Sequence, residues 1–233
     1  GESALGERVK NLMRPGCNPD VGTRVNAGVV TLRLVARGAT EAEAQATLQP
    51  ALTVAREALK DGLFGEDDET LSSAALKALV SRRKTVAIAE SCTAGLVSAT
   101  LAETPGASAA LLEGAVVYSN AAKIRACGVK PETLAARGAV SAETARELAI
   151  GIRERAGADI GVSVTGIAGP DGGTTIKPVG LVYFGIATAK GSQTFERRLI
   201  GRERALIRER AAMQALDLIR RAALDDWGLT IGD

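Results

Sequence analysis

From residue 70 onward the chain alternates helix-period and strand-period segments, and this rhythm limits the possible folds more than any other feature. "ETLSSAALKALVSRRK" (69–84) carries apolar residues at helical spacing, and "TVAIAE" (85–90) is a short, continuous apolar run. A helix is expected over 93–103, a strand in "GAVVYSN" (114–120), and a helix opened by Ser141 in "SAETARELAIGIRERAG" (141–157). "ADIGVSVTG" (158–166), "VGLVYFGIATA" (179–189) and "QTFERRLI" (193–200) read as strands, and 202–223 as a closing amphipathic helix. Strands that are apolar on both faces need cover on both faces. The expected fold is therefore α/β, a three-layer α/β/α domain over 70–233.

The first 69 residues have a different texture. Leu5, Val9, Leu12 and Met13 have helical spacing, "RPGCNPDVG" (14–22) is dense in turn formers, and "AGVVTLRLVARG" (27–38) reads as a strand. A second helix is expected over 39–62. Thr40 and Glu43 would form its capping box, Gly62 would close it, and Pro50 would interrupt or kink it. These elements make a small α+β domain over 1–69, with the acidic "GEDDE" (65–69) as linker. The chain opens on Gly1 rather than Met, so residues upstream are expected.

The chain has no histidine, which excludes Ser-His-Asp and Cys-His catalysis and histidine-ligated zinc within these residues. Proton transfer then falls to Lys, Tyr, Glu, Asp, Cys or water. A net charge of +2 and few aromatics argue against a nucleic-acid surface. No apolar run approaches the ~20 residues of a membrane span, and "GESALGERVKNLM" is too charged for a signal peptide. Three cysteines without CxxC spacing suggest reduced thiols and a cytoplasmic location.

Three loops after strand ends can carry chemistry, because ligands of open α/β sheets sit at the strand carboxyl ends. In "AESCTAG" (89–95), Ser91, Cys92 and Thr93 fall at a helix start that suits a nucleophile or an anion. Spacing by itself favours a simple cap for Ser91 or Thr93, and a buried apolar role for Cys92. In "YSNAAK" (118–123), Tyr118 ends a strand and Lys123 follows a tight turn. A serine with a lysine base and a tyrosine is a histidine-free route to acyl transfer, whereas each residue alone reads as surface. Ser108 in "PGAS" is a second possible nucleophile, or a second cap. "SVTGIAGPDGGTTIKPVG" (163–180) could offer backbone amides to an oxyanion or phosphate, or be only a hairpin loop. In "GRERALIRER" (201–210), Arg202, Arg204 and Arg208 open the last helix. Arg204 and Arg208 share a face that could hold a phosphate or could simply be salt-bridged to Glu203 and Glu209.

Taken together, "AESCTAG", "PGAS", "YSNAAK", "GAVS", "SVTGIAGPDGG", "KPVGLVYFGIA" and the late arginine run resemble the CinA C-terminal domain family. Residues 1–69 resemble the KH-like middle domain of full-length CinA proteins through "GESALGERV", "VNAGVVTLRLVARGATEAEA" and "LFGEDDETL". The usual "GDR" before the last helix reads "RER" here, and the molybdopterin-binding-like N-terminal domain is not among these residues.

The resemblance implies hydrolysis of nicotinamide mononucleotide to nicotinic acid mononucleotide and ammonia, without metal or cofactor. It implies a small-molecule nucleotide partner rather than a membrane, and a homo-oligomer, a dimer being favoured. Its serine, tyrosine and lysine fall on Ser91 or Ser108, Tyr118 and Lys123. Its substrate contacts fall on Thr93, Thr165, Gly166, Gly169, Asp171, Gly172, Gly173 and Arg204. A second function class is a non-catalytic nucleotide-binding module with a competence or DNA-damage role. Nucleic-acid binding through the small domain would need a GxxG clamp. Gly62 to Gly65 has that spacing, but around apolar Leu63 and Phe64 and ahead of acidic residues.

Overall fold

The structure is a computed structural model and describes residues 2–14, 16–201 and 203–226. The chain divides into two compact units that part between Asp68 and Glu69.

The first unit holds α1 (Glu2–Val9), β1 (Asp20–Asn26), β2 (Val29–Val35) and α2 (Glu41–Leu59). β1 and β2 form an antiparallel hairpin closed by Ala27 and Gly28, both at positive φ, which is the geometry of a two-residue primed turn. Sequence reading missed β1 because the turn formers before it mask the alternation of Val21, Thr23 and Val25. α2 runs unbroken through Pro50, against expectation. That proline is exposed, so water can take the carbonyl that its missing N–H leaves free. Thr40 Oγ1 accepts from the Glu43 amide, while Glu43 reaches back to the Ala39 amide rather than to Thr40. Lys60, not Gly62, caps the helix end, and one 3-10 turn (Lys60–Gly62) follows.

The second unit is built on a five-stranded mixed sheet. Its strands are β3 (Val86–Glu90), β4 (Leu111–Val116), β5 (Ile160–Gly166), β6 (Leu181–Thr188) and β7 (Gly191–Arg198), in the order β4-β3-β5-β6-β7. β3 pairs in parallel with β4 and β5, whereas β5–β6 and β6–β7 are antiparallel. α3 (Leu71–Ser81), α4 (Leu96–Ala102) and α8 (Arg204–Ala223) pack together on one face. α5 (Asn120–Cys127), α6 (Pro131–Arg137) and α7 (Ala142–Ala156) cover the other. The three-layer expectation therefore stands.

Burial explains the layers. β3 is buried at every position, with Ala87 and Ala89 packed on Leu148 and Ile152 of α7. α7 lies close on the sheet partly because Gly185 has no Cβ, which would run into the Ala145 carbonyl. Ile207, Leu216, Leu218 and Ile219 of α8 are buried on the opposite side. Each such side chain contributes roughly 1.5–3 kcal/mol by leaving water.

Two helices escaped the sequence reading. α5 begins where a tight turn was expected, with Ser119 as its N-cap, accepting from the Ala122 amide. α6 carries Pro131 in its first turn and ends at Gly138. Both are too short for an apolar periodicity to show. Among the described residues no helix is long and apolar enough to cross a membrane.

Candidate active site

The carboxyl ends of β3 and β4 are neighbours, and the residues that follow them meet. β3 ends on Glu90, whose backbone carbonyl accepts from the Val117 amide just past β4. The next amide, of Ser91, donates to the Val164 carbonyl of β5. Ser91 is thus held between two strands at the head of a turn over 91–95.

Sequence spacing favoured a capping role for Ser91 or Thr93, and the structure corrects it. The cap of α4 is the Glu90 carboxylate, which accepts from the amides of Val97 (3.0 Å) and Ser98 (2.8 Å) and from the Ser98 hydroxyl (2.6 Å). Glu90 is fully buried, and these charge-assisted bonds, together with the helix dipole, offset its desolvation. The carboxylate before the serine thus ties β3 to α4, and Ser91 Oγ remains free for other contacts. The expected helix start at 93 moves to Leu96 for the same reason.

Lys123 provides that contact. It lies in the first turn of α5, only 1% exposed, and its Nζ is 3.1 Å from Ser91 Oγ. The same Nζ donates to the carbonyls of Val117 (2.8 Å) and Tyr118 (3.0 Å). Burial pulls its pKa below the ordinary lysine value, while the neighbouring Cys92 and Cys127 act the other way. Nζ donates to Ser91 Oγ as well, so all three N–H bonds of the ammonium find acceptors. The carbonyls favour the charged form, whereas burial favours the neutral one. Loss of the proton facing Ser91 leaves a lone pair aimed at its hydroxyl while both carbonyl bonds remain.

Cys92 fits the buried apolar role expected of it. It is buried, and burial pushes its thiol up to about 12. The amides of Cys92 and Thr93 donate to no backbone carbonyl among the described residues. Thr93 is fully buried and its Oγ1 has no partner, while its carbonyl accepts from Arg208 Nη2 at 2.9 Å. Arg208 thus braces the turn after the serine, a role its helix-face spacing had not suggested.

Tyr118 divides its functions in an unexpected way. Its carbonyl holds Lys123, but its side chain is 56% exposed and its hydroxyl accepts from Arg204 Nη2 at 2.8 Å. The hydroxyl makes no hydrogen bond to Ser91 or Lys123, so a direct proton relay through it is not what the geometry provides. Arg204 also donates through Nη1 to the Gly169 carbonyl at 2.8 Å, joining the Tyr118 loop to the glycine loop. Among the described residues neither Arg204 nor Arg208 is ion-paired, so the salt-bridged face with Glu203 and Glu209 is not formed. Arg202 lies outside the described residues.

Ser108 does not join the site. It sits exposed in a 3-10 turn before the amino end of β4, at the opposite end of that strand from Lys123. The length of β4 separates them, about 3.3 Å per residue. Thr165 is buried, and its hydroxyl donates to the Ala139 carbonyl at 2.7 Å, so it braces the turn before α7 instead of offering that proton to a ligand. Gly166 ends β5 hard against Val182 of β6, where a Cβ would clash. Of the loop that follows, Gly169 reaches the site through Arg204. Asp171, Gly172 and Gly173 line an open concavity with Pro170, Thr174, Thr175, Pro178 and Val179, and make no hydrogen bond to Ser91 or Lys123. Among the described residues no cluster of metal-ligating side chains occurs.

Comparison with known proteins agrees with this architecture. Residues 68–223 match the family described as the CinA C-terminal domain, and residues 1–65 the damage-inducible protein CinA KH domain. A putative competence-damage inducible protein of Clostridium kluyveri is 46% identical over 224 residues, covering 96% of this chain and 54% of that relative. Its counterpart in Acetivibrio thermocellus is 45% identical over 221 residues, covering 95% and 53%. The chain spans about half the length of these curated relatives. The crystal structure of competence/damage inducible protein CihA from Agrobacterium tumefaciens has a TM-score of 0.63 at 40% identity. It covers 67% of this chain and 95% of that one. A CinA superfamily protein from Klebsiella pneumoniae gives 0.64 at 32% identity, over 66% and 96%.

Proposed function

This chain belongs to the CinA family, and from that premise we propose that it is a nicotinamide-nucleotide amidohydrolase. Its reaction would convert nicotinamide mononucleotide to nicotinic acid mononucleotide and ammonia. The observation that carries the reading is the buried Lys123 Nζ, 3.1 Å from Ser91 Oγ and held there by the Val117 and Tyr118 carbonyls. A serine activated by a desolvated amine is a nucleophile for acyl transfer that requires no histidine.

In this mechanism Lys123 takes the Ser91 proton as Oγ attacks the carboxamide carbon. The carbonyl oxygen becomes an oxyanion, for which the amides of Cys92 and Thr93 on the same turn, which otherwise face the Cys92 thiol, would be the donors. Lys123 then returns the proton to the departing nitrogen, and ammonia leaves behind a Ser91 ester. Water, deprotonated by the same amine, hydrolyses the ester to a carboxylate and restores Ser91. Arg204, at the mouth with Tyr118, supplies the positive charge that a nucleotide phosphate requires.

The test is ammonia release from nicotinamide mononucleotide by the pure protein and by Ser91→Ala. The expected result is release by the wild type and loss of at least about 10³-fold in kcat in the variant. No release by the wild type, with nucleotide binding retained, would leave a binding module in place of an enzyme.

A further inference from the structure

Lys177 lies on the returning limb of the glycine loop, away from Ser91. Its Nζ donates to the carbonyls of Arg137 and Val140, both at 2.7 Å. One is the last peptide of α6, where a cation is favoured by the exposed carbonyls of the helix end. The other lies just before α7. Gly138, between them, is at positive φ, and a Cβ there would stand 3.4 Å from Nζ.

The rest of this turn is held as completely. The Gly138 carbonyl accepts from Thr144 (2.8 Å) and Ser141 (3.1 Å), and the Ala139 carbonyl from Thr165 (2.7 Å). Four successive carbonyls, 137 to 140, are thus taken by side chains, two of them by Lys177. Lys177 also closes the tip of its own loop. Its amide donates to Thr174 Oγ1 (2.9 Å), and its carbonyl accepts from the Thr174 amide (2.8 Å). The outgoing limb of that loop carries Gly169, whose carbonyl receives Arg204.

We propose that Lys177 is a positioning residue for substrate, clamping the turn at 137–140 to the glycine loop so that the two move as one wall. It touches neither Ser91 nor Lys123, and acts through the loop that Arg204 engages. Its substrate rests on the amidohydrolase reading above, whereas the clamp itself does not.

Two measurements on the whole chain decide it, using Lys177→Met and Lys177→Arg: hydrogen exchange of the amides at 138–141 and 171–177, and steady-state kinetics on nicotinamide mononucleotide. Lys177→Met should exchange faster in both segments together, raise KM about tenfold and leave kcat within about twofold. Lys177→Arg keeps a cation able to reach both carbonyls and should restore most of the wild-type KM and exchange. Unchanged exchange at 138–141 in Lys177→Met, or faster exchange with an unchanged KM, overturns the proposal. So does a folded Lys177→Arg that exchanges in both segments like the loss variant. A wild type that releases no ammonia removes the amidohydrolase reading, and the exchange measurement then decides the clamp alone.

Discussion

Replacing Lys123 by arginine separates a base from a mere cation. Lysine can surrender its proton in a buried site, whereas a guanidinium stays charged and has no lone pair for the Ser91 hydroxyl. The structure sets the size of the effect. Nζ is the group that contacts Ser91 Oγ, and among the described residues the chain has no histidine to replace it. A positioned general base contributes about 10²–10⁴-fold, which is roughly 3–5 kcal/mol of barrier at 1.36 kcal/mol per decade. Lys123→Arg should therefore lose that factor in kcat. Lys123→Met, close in length and uncharged, controls for steric damage and should lose as much. The assay is ammonia release across pH, with urea unfolding run in parallel. Wild-type activity should rise with pH as the amine is neutralised, at a pH below the ordinary lysine range because burial favours the neutral form. Stability follows the same sign. The folded state holds fewer protons than the unfolded between the lowered pKa and the ordinary one. Stability therefore rises with pH across that window, and Lys123→Met should flatten the rise. Full activity in Lys123→Arg, or a wild-type pH profile retained by Lys123→Met, would refute the assignment of the base.

Three further outcomes are expected. Ser108→Ala should keep kcat and KM within about twofold of wild type, since exposed sites away from the chemistry rarely matter; a loss matching Ser91→Ala would return Ser108 to the site. Arg204→Gln should raise KM about tenfold or more, with the wild type losing affinity as salt is added, because a charged hydrogen bond to phosphate contributes about 1.5–3 kcal/mol; a KM unaffected by both changes removes the phosphate role. Glu90→Gln should lower the urea-derived stability by about 1–3 kcal/mol, because its amide NH2 would face an N–H of Val97 or Ser98. An unchanged unfolding midpoint would show that Glu90 does not hold α4.

The layered fold and the ends of most strands and long helices were legible in the sequence, because apolar periodicity is a local property. Ser141 at the start of α7 and the fully apolar β3 announce themselves within a few residues. β1, α5 and α6 did not: turn formers run into the start of β1, and α5 and α6 are about two turns each. Which serine lies beside Lys123 was equally beyond local reading. Ser91 and Ser108 both follow turn-forming signals, and both pass for caps. They differ only in which end of the sheet they occupy, a fact of strand pairing. The functions of Glu90, Tyr118 and Arg208 were hidden for the same reason. A buried cap, a backbone carbonyl aimed at Nζ and a guanidinium on the Thr93 carbonyl join residues 7, 5 and 115 positions apart. Composition alone narrowed the chemistry, since a chain without histidine leaves proton transfer to Lys, Tyr, Glu, Asp, Cys or water. Which amine meets which hydroxyl emerges from the folded chain, because burial and hydrogen-bond direction arise when distant strand ends are brought together.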